Sequence, residues 1–196
     1  EPGVIVGWLS SLYLRLRGAS VGRGLRATAL PNLQGSGRQI RIGDNAMLQG
    51  KVELWTRGSG RISIGNGVKL DRGVRLVSPS EGNISIANNV RIGVGTILNC
   101  GTNIEVEEAV LISGYCYIQG SEHGLSSKAF VSSTTFKKGP IRIRNGSWIG
   151  AHAVILMGVE IGPCAVVGAH ALVRASVPEF HVVAGVPAKF IRSRME

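Results

Sequence analysis

From Ile143 onward the chain repeats every six residues: an aliphatic leader, often a Gly or Ala behind it, two variable positions, a small residue and one more variable position. In blocks the stretch reads IRNGSW, IGAHAV, ILMGVE, IGPCAV and VGAHAL, led by Ile143, Ile149, Ile155, Ile161 and Val167. A period of six matches neither the turn of a helix nor the plain alternation of a strand. It suits short strands joined by tight corners, three to a coil, with each leader pointing inward and stacking on the residue one coil later. The period predicts a parallel β-helix.

The same frame extends upstream with leaders at Ile42, Leu48, Leu54, then Ile64, Leu70, Leu76, then Ile86, Ile92, Leu98, then Val106, Ile112 and Ile118. These sets begin 22, 22 and 20 residues apart, so each coil carries a few extra residues at one corner, in GSG, PSEG and GTN stretches. Gly, Ser and Asn there supply the conformations that tight corners need. A generic antiparallel β protein could share the composition, with its 28 glycines, but would not hold a six-residue frame this long.

A chain of 196 residues is one domain, able to bury a continuous core along a solenoid axis. No apolar run approaches the roughly 20 residues that cross a bilayer. Cys100, Cys116 and Cys164 form no CxxC and no metal-ligand spacing, which points to a reducing cytoplasm and to no metal. The sequence opens on Glu1 rather than Met, so a few residues are expected ahead of it. The net charge of +10 is lopsided: residues 1–100 hold 13 Lys/Arg against 5 Asp/Glu, residues 101–196 hold 9 against 7. Such a basic half is either a solvated surface or a face for an anionic partner. No nucleic-acid motif accompanies it, and aromatics interleaved with bases are absent, so nucleic acid is excluded as a partner.

Before the solenoid, VIVGWLSSLYLRLR places Ile5, Trp8, Leu9, Leu12, Tyr13 and Leu16 at helical spacing. This stripe predicts either a helix capping the open end of the solenoid or an interfacial helix on an anionic membrane, and the two roles can coexist. After Val173 the frame fades into a C-terminal cap with Pro178, Pro187, Lys189, Arg192 and Arg194; three cations beside a Gly-Val-Pro turn suit a phosphorylated cofactor tail.

Between Ile118 and Ile143 the frame breaks, in QGSEHGLSSKAFVSSTTFKKGP. A stacked solenoid accommodates a long excursion at a corner, and such loops commonly carry function. His123 sits at the root of this loop, a position that suits a general base held on a rigid scaffold, or a loop histidine bonded to backbone. No paired nucleophile is evident, so direct transfer from a carrier is the simpler chemistry. Apolar residues in the loop (Leu125, Ala129, Phe130, Val131) could admit a hydrophobic acceptor. His152 and His170 lie 18 residues apart and are expected to stack on neighbouring coils; with no third ligand in that column they read as solvent-facing turn residues. His181 is expected to pack in the cap.

The stretch GPIRIRNGSWIGAHAVILMGVEIGPCAVVGAHALVRASVPEFHVVAGVPAKFIR resembles the left-handed β-helix acyltransferases of the hexapeptide-repeat family, nearest to galactoside, maltose and polysaccharide-cluster O-acetyltransferases. YCYIQGSEHG resembles the strand-then-His motif of that branch. The resemblance implies an acetyl-CoA-dependent transferase acting as a homotrimer, with active sites between prisms. It implies His123 as the catalytic base and Asn99 as an acceptor contact, although Asn also ladders inside β-helix corners. It places Gly150, Ala151, Gly168 and Ala169 against the pantetheine arm, Trp148 at the groove border, and Lys189 and Arg192 at the CoA phosphates. Two departures stand out: Gly124 follows the histidine where maltose-type enzymes carry Pro, and Arg174-Ala175 replaces a Thr-Lys pair near the cofactor, leaving Arg174 as the cation there.

The expected architecture is all-β: a left-handed parallel β-helix over residues 31–178 with a loop at 120–140, preceded by a helix and lead-in at 1–30 and followed by a cap at 179–196. The expected function is O-acetylation of a sugar hydroxyl in surface polysaccharide or lipopolysaccharide synthesis, in the cytoplasm and at the inner membrane face. Two rivals remain: N-acetylation of an amino sugar nucleotide, and a β-helix scaffold without catalysis.

Overall fold

The computed structural model describes residues 2–125, 128 and 130–195. Three parallel sheets of seven, nine and seven strands wrap one axis, so the chain is a three-sided left-handed β-helix. Each leader of the six-residue frame points into this prism. Ile42, Ile64, Ile86, Val106, Ile143 and Ile161 stack in register on the first face. Leu48, Leu70, Ile92, Ile112, Ile149 and Val167 do so on the second. On the third the column is Leu54, Leu76, Leu98, Ile118, Ile155 and Val173. All are buried, and each coil touches only its neighbours, so stability accumulates coil by coil. Pure 18-residue coils occur where Ile143 meets Ile161 and Ile149 meets Val167.

The prism starts earlier than the repeat reading places it. Val21 pairs with Ile42 and Ala27 with Leu48, both within the stretch expected to be a lead-in, and Leu33, inside the expected β-helix, pairs with Leu54 to complete a further coil. Ala27 carries too little apolar surface to announce itself as a leader.

Helix α1 (Pro2–Leu16) closes the open end. Its buried line is Gly7, Ser10 and Leu14, spaced to share one helical face. Gly7 is required there: an added Cβ would sit 2.2 Å from the Leu25 carbonyl oxygen. The larger apolar stripe faces the other way, with Ile5, Trp8, Leu9, Leu12 and Leu16 all exposed. Capping is therefore real, but a narrow line of small residues and Leu14 performs it. Among the described residues no helix is long and apolar enough to cross a membrane.

At the far end Val177 bridges to Ile161, and His181–Ala184 extends the second face beside Val166 and Val167. Lys189–Ser193 folds back antiparallel on it, and His181 packs against Phe190 with ring centroids 4.7 Å apart.

Candidate active site

The excursion leaves and rejoins the prism at one point on the third corner, where the Gly139 amide donates to the Gly120 carbonyl at 3.1 Å. Its described part is a two-stranded antiparallel ribbon, Ser121–His123 against Phe136–Lys138. Ala129 lies outside the described residues. His123 and Phe136 are cross-strand partners, and their rings pack 4.3 Å apart at 40°. Glu122, next along the strand and opposite Lys137, belongs to the other side of the ribbon. Among the described residues no side-chain or backbone hydrogen bond involves the imidazole, and the contact that orients the ring is Phe136. Phe136 carried no signal in the sequence, because its pairing with His123 depends on the register of an irregular hairpin.

Asn99 lies half-buried on the third face, in register with Gln119 of the next coil, rather than laddered inside a corner. Its amide donates to the Tyr117 hydroxyl at 3.3 Å. Gln119 in turn donates to the Ser121 carbonyl at 2.7 Å, tying this column to the root of the strand that carries His123. Tyr117 and Gln119 are thus part of the same neighbourhood, though repeat position alone marks them as ordinary outward residues.

The second corner holds a different set. Trp148 is exposed on the second face, its indole N–H donating to Ser113 Oγ at 3.0 Å. Behind it, Gly150 stacks over the next coil so closely that a Cβ would stand 2.6 Å from the Ala169 amide nitrogen. The amides of Ala151 and Ala169 donate to no protein acceptor among the described residues. They leave two free N–H groups, one coil apart, beside a shallow line of small side chains. Gly168 stacks under Ala184, and Ala184 pairs with Lys189. Val182, in the Trp148 and Val166 column, pairs with Arg192. The chain therefore gathers Trp148, Gly150, Ala151, Gly168, Ala169, Lys189 and Arg192 along the second face and its corner. Next to them His152 and His170 stack at 4.7 Å and 3°, and Tyr115 continues the column at 5.2 Å from His152.

Arg174 follows Val173 on the third face and lines a small cleft of about 160 Å³ with His181, Ala188 and Phe190, the last two flanking Lys189. His123 is not in that group. The third corner, where its ribbon is rooted, lies one full face from Ala151, or about 20 Å of extended strand.

The two buried thiols, Cys100 and Cys116, are poor nucleophiles. Burial pushes Cys100 up to about 11 against the hydrogen bonds that favour its thiolate, and burial also raises Cys116. Neither suits a covalent acyl intermediate.

Residues 140–175 match the family model described as bacterial transferase hexapeptide (six repeats). The probable acetyltransferase Rv3034c of Mycobacterium tuberculosis is 32% identical over 103 residues, which are 52% of this chain and 34% of that protein. Galactoside O-acetyltransferase of Escherichia coli is 49% identical over 53 residues, 27% of this chain and 26% of that one. The chain thus spans about a third or less of the length of these curated relatives. Among solved structures, AntD, an N-acyltransferase from Bacillus cereus in complex with dTDP and 3-hydroxybutyryl-CoA, superposes with a TM-score of 0.70 at 23% identity, covering 94% of this chain and 88% of AntD. That likeness is one of fold. The upper coils of this prism are a bacterial transferase hexapeptide repeat, and the chain stands among relatives named as acetyltransferases.

Proposed function

We propose that the protein is an acetyl-CoA-dependent O-acetyltransferase acting on a sugar hydroxyl. The observation that carries this reading is His123: an imidazole packed against Phe136 and rooted beside the Asn99 and Gln119 column. His123 takes the proton from the acceptor hydroxyl as its oxygen attacks the thioester carbonyl. The carbon–oxygen bond forms, the carbon–sulfur bond breaks, and the departing thiolate recovers the proton from the imidazolium. Asn99 contacts the acceptor. The free amides of Ala151 and Ala169 hold the pantetheine arm along the second corner, Trp148 borders it, and Lys189 and Arg192 meet the phosphates. Arg174 is a further cation for the cofactor. Because base and groove stand a face apart within one chain, a symmetric homotrimer brings the third corner of one prism to the second corner of the next.

The acceptor class fits a glycan of a surface polysaccharide or lipopolysaccharide pathway, carried on a polyprenyl phosphate at the inner face of the cytoplasmic membrane. Galactoside O-acetyltransferase, a relative by sequence, favours a sugar hydroxyl. N-acetylation of an amino sugar nucleotide is the second reading, and the fold likeness to AntD, an N-acyltransferase, favours it.

The test is thiol release from acetyl-CoA with free, nucleotide-linked and lipid-linked sugars, hydroxyl and amino, for wild type and His123→Ala. Acceptor-dependent release that disappears in the variant supports the transferase and names its acceptor. Failure to bind CoA at all would move the protein to a scaffold role.

A further inference from the structure

Two unpartnered features meet at the N-terminal end of the prism. α1 turns Ile5, Trp8, Leu9, Leu12 and Leu16 outward in one stripe, with Trp8 64% and Leu16 79% exposed. On the adjoining first face, Arg38, Arg41 and Arg61 line a groove of about 690 Å³ with Ser59 and Ser63, and no carboxylate lines it. None of these three arginines is in an ion pair among the described residues. Helix and groove are continuous. Arg17 donates to the Gly35 carbonyl at 3.5 Å, and a Cβ on Gly18 would stand 2.9 Å from Arg38 Cγ.

The cations of this end are not consumed internally. Residues 15–61 hold nine Lys/Arg against two carboxylates, Asp44 and Glu53. Glu53 is taken by Arg75 at 2.9 Å, and Asp44 accepts from the Arg23 amide at 2.7 Å. Higher on the same face the pattern reverses, with Arg142 and Arg144 each shared between glutamates. Uncompensated charge therefore gathers beside the exposed apolar stripe.

We propose that this end docks on an anionic phospholipid surface, with the α1 stripe in the interfacial layer and a lipid phosphate seated among Arg38, Arg41 and Arg61. Guanidinium forks match phosphate oxygens in bidentate pairs. An apolar helical face flanked by arginines partitions into the headgroup boundary, and charge and apolar area each add to the attraction. Neither feature alone selects a bilayer; an anionic amphiphile satisfies both at once. This docking does not depend on the transferase reading, and its measurement uses no acetyl-CoA.

The experiment is vesicle co-sedimentation of the whole chain with phosphatidylcholine alone, with added phosphatidylglycerol and with added phosphatidic acid. The variants are Arg38→Gln/Arg41→Gln/Arg61→Gln, Ile5→Ser/Trp8→Ser, and a charge-matched control, Lys128→Gln/Lys137→Gln/Lys138→Gln. All substituted positions except the three control lysines lie at the N-terminal end, and thermal melts check that each variant is folded. Binding is expected only to the anionic vesicles, strongest with the phosphate monoester. Each arginine lost should weaken it about fivefold, so about 100-fold for the triple variant. The serine variant should also bind weakly, and the lysine control should bind as wild type. Binding that is equal for the two charge-matched variants would reduce the effect to net charge and overturn the seat. Binding of glycerol 3-phosphate without binding of any vesicle would assign the groove to a soluble phosphate and overturn the docking.

Discussion

Arg144 Nη1 donates to Glu107 Oε1 at 2.6 Å although 37 residues separate them in sequence. The same guanidinium meets both carboxylate oxygens of Glu160, at 3.0 and 3.2 Å. One side chain therefore ties three successive coils. Two of these coils are the ones the excursion separates in sequence, since Val106 and Ile143 are direct strand neighbours. Hydrogen bonds that Arg144 donates to Glu160 and then to Glu107 hold it charged beyond its usual range.

Burial opposes ionisation of Glu107, yet hydrogen bonds from Arg144 and the Asn145 amide hold its carboxyl net below the ordinary 4.5. A carboxyl lowered in the folded state contributes stability above the unfolded value, and that contribution fades as pH falls through the folded value. Glu107→Gln should therefore lower Tm at neutral pH by only about 2 °C, the pair being largely solvated. The gap to wild type should close as pH falls below the ordinary 4.5 and through the lower value of the folded carboxyl. Melts across that range check it; a gap that persists in acid would mean the pair is not its source.

His123→Ala should reduce acceptor-dependent turnover about 10²–10⁴-fold, the usual contribution of a general base, with CoA affinity unchanged. Phe136 acts through His123 as a positioning residue. Phe136→Ala should lower kcat about tenfold with little change in the KM for acetyl-CoA, and Phe136→Tyr should restore it. Steady-state kinetics separate these effects, and a rise in KM alone would place Phe136 in the binding of the acyl donor.

Ala169→Phe adds bulk at an exposed corner, where it should leave Tm unchanged within about 2 °C. If the arm of CoA lies along the Ala151 and Ala169 amides, calorimetry should show affinity falling at least about tenfold. Retained affinity would move the arm elsewhere.

His123→Ala and Ala169→Phe protomers, each inactive alone, should recover activity when unfolded together and reassembled. In a mixed trimer some sites join an intact histidine to an intact groove. Absence of recovery would put both halves of the site in one prism.

The core was legible because the prism has one repeating requirement, an aliphatic side chain at each inward position. Ile155 and Ile161 meet it in sequence and are buried in the structure. Legibility failed where that requirement was relaxed. Ala27 fills the narrow first coil without a large side chain, so the prism seemed to begin later. In α1 hydrophobicity marks one stripe, but the prism end accepts only a thin line, and Gly7, Ser10 and Leu14 fit it. The candidate site divides similarly. The second-corner set follows the frame and comes together, whereas the partners of His123 depend on hairpin register.

The excursion leaves and rejoins the prism at one place, where the Gly139 amide donates to the Gly120 carbonyl. Doubling the length of a flexible loop adds only about 0.6 kcal/mol of closure cost, and the coil beneath is already sealed by Val106, Ile143 and Arg144. The hairpin can thus be exchanged as a cassette while the columns of the scaffold stay as they are.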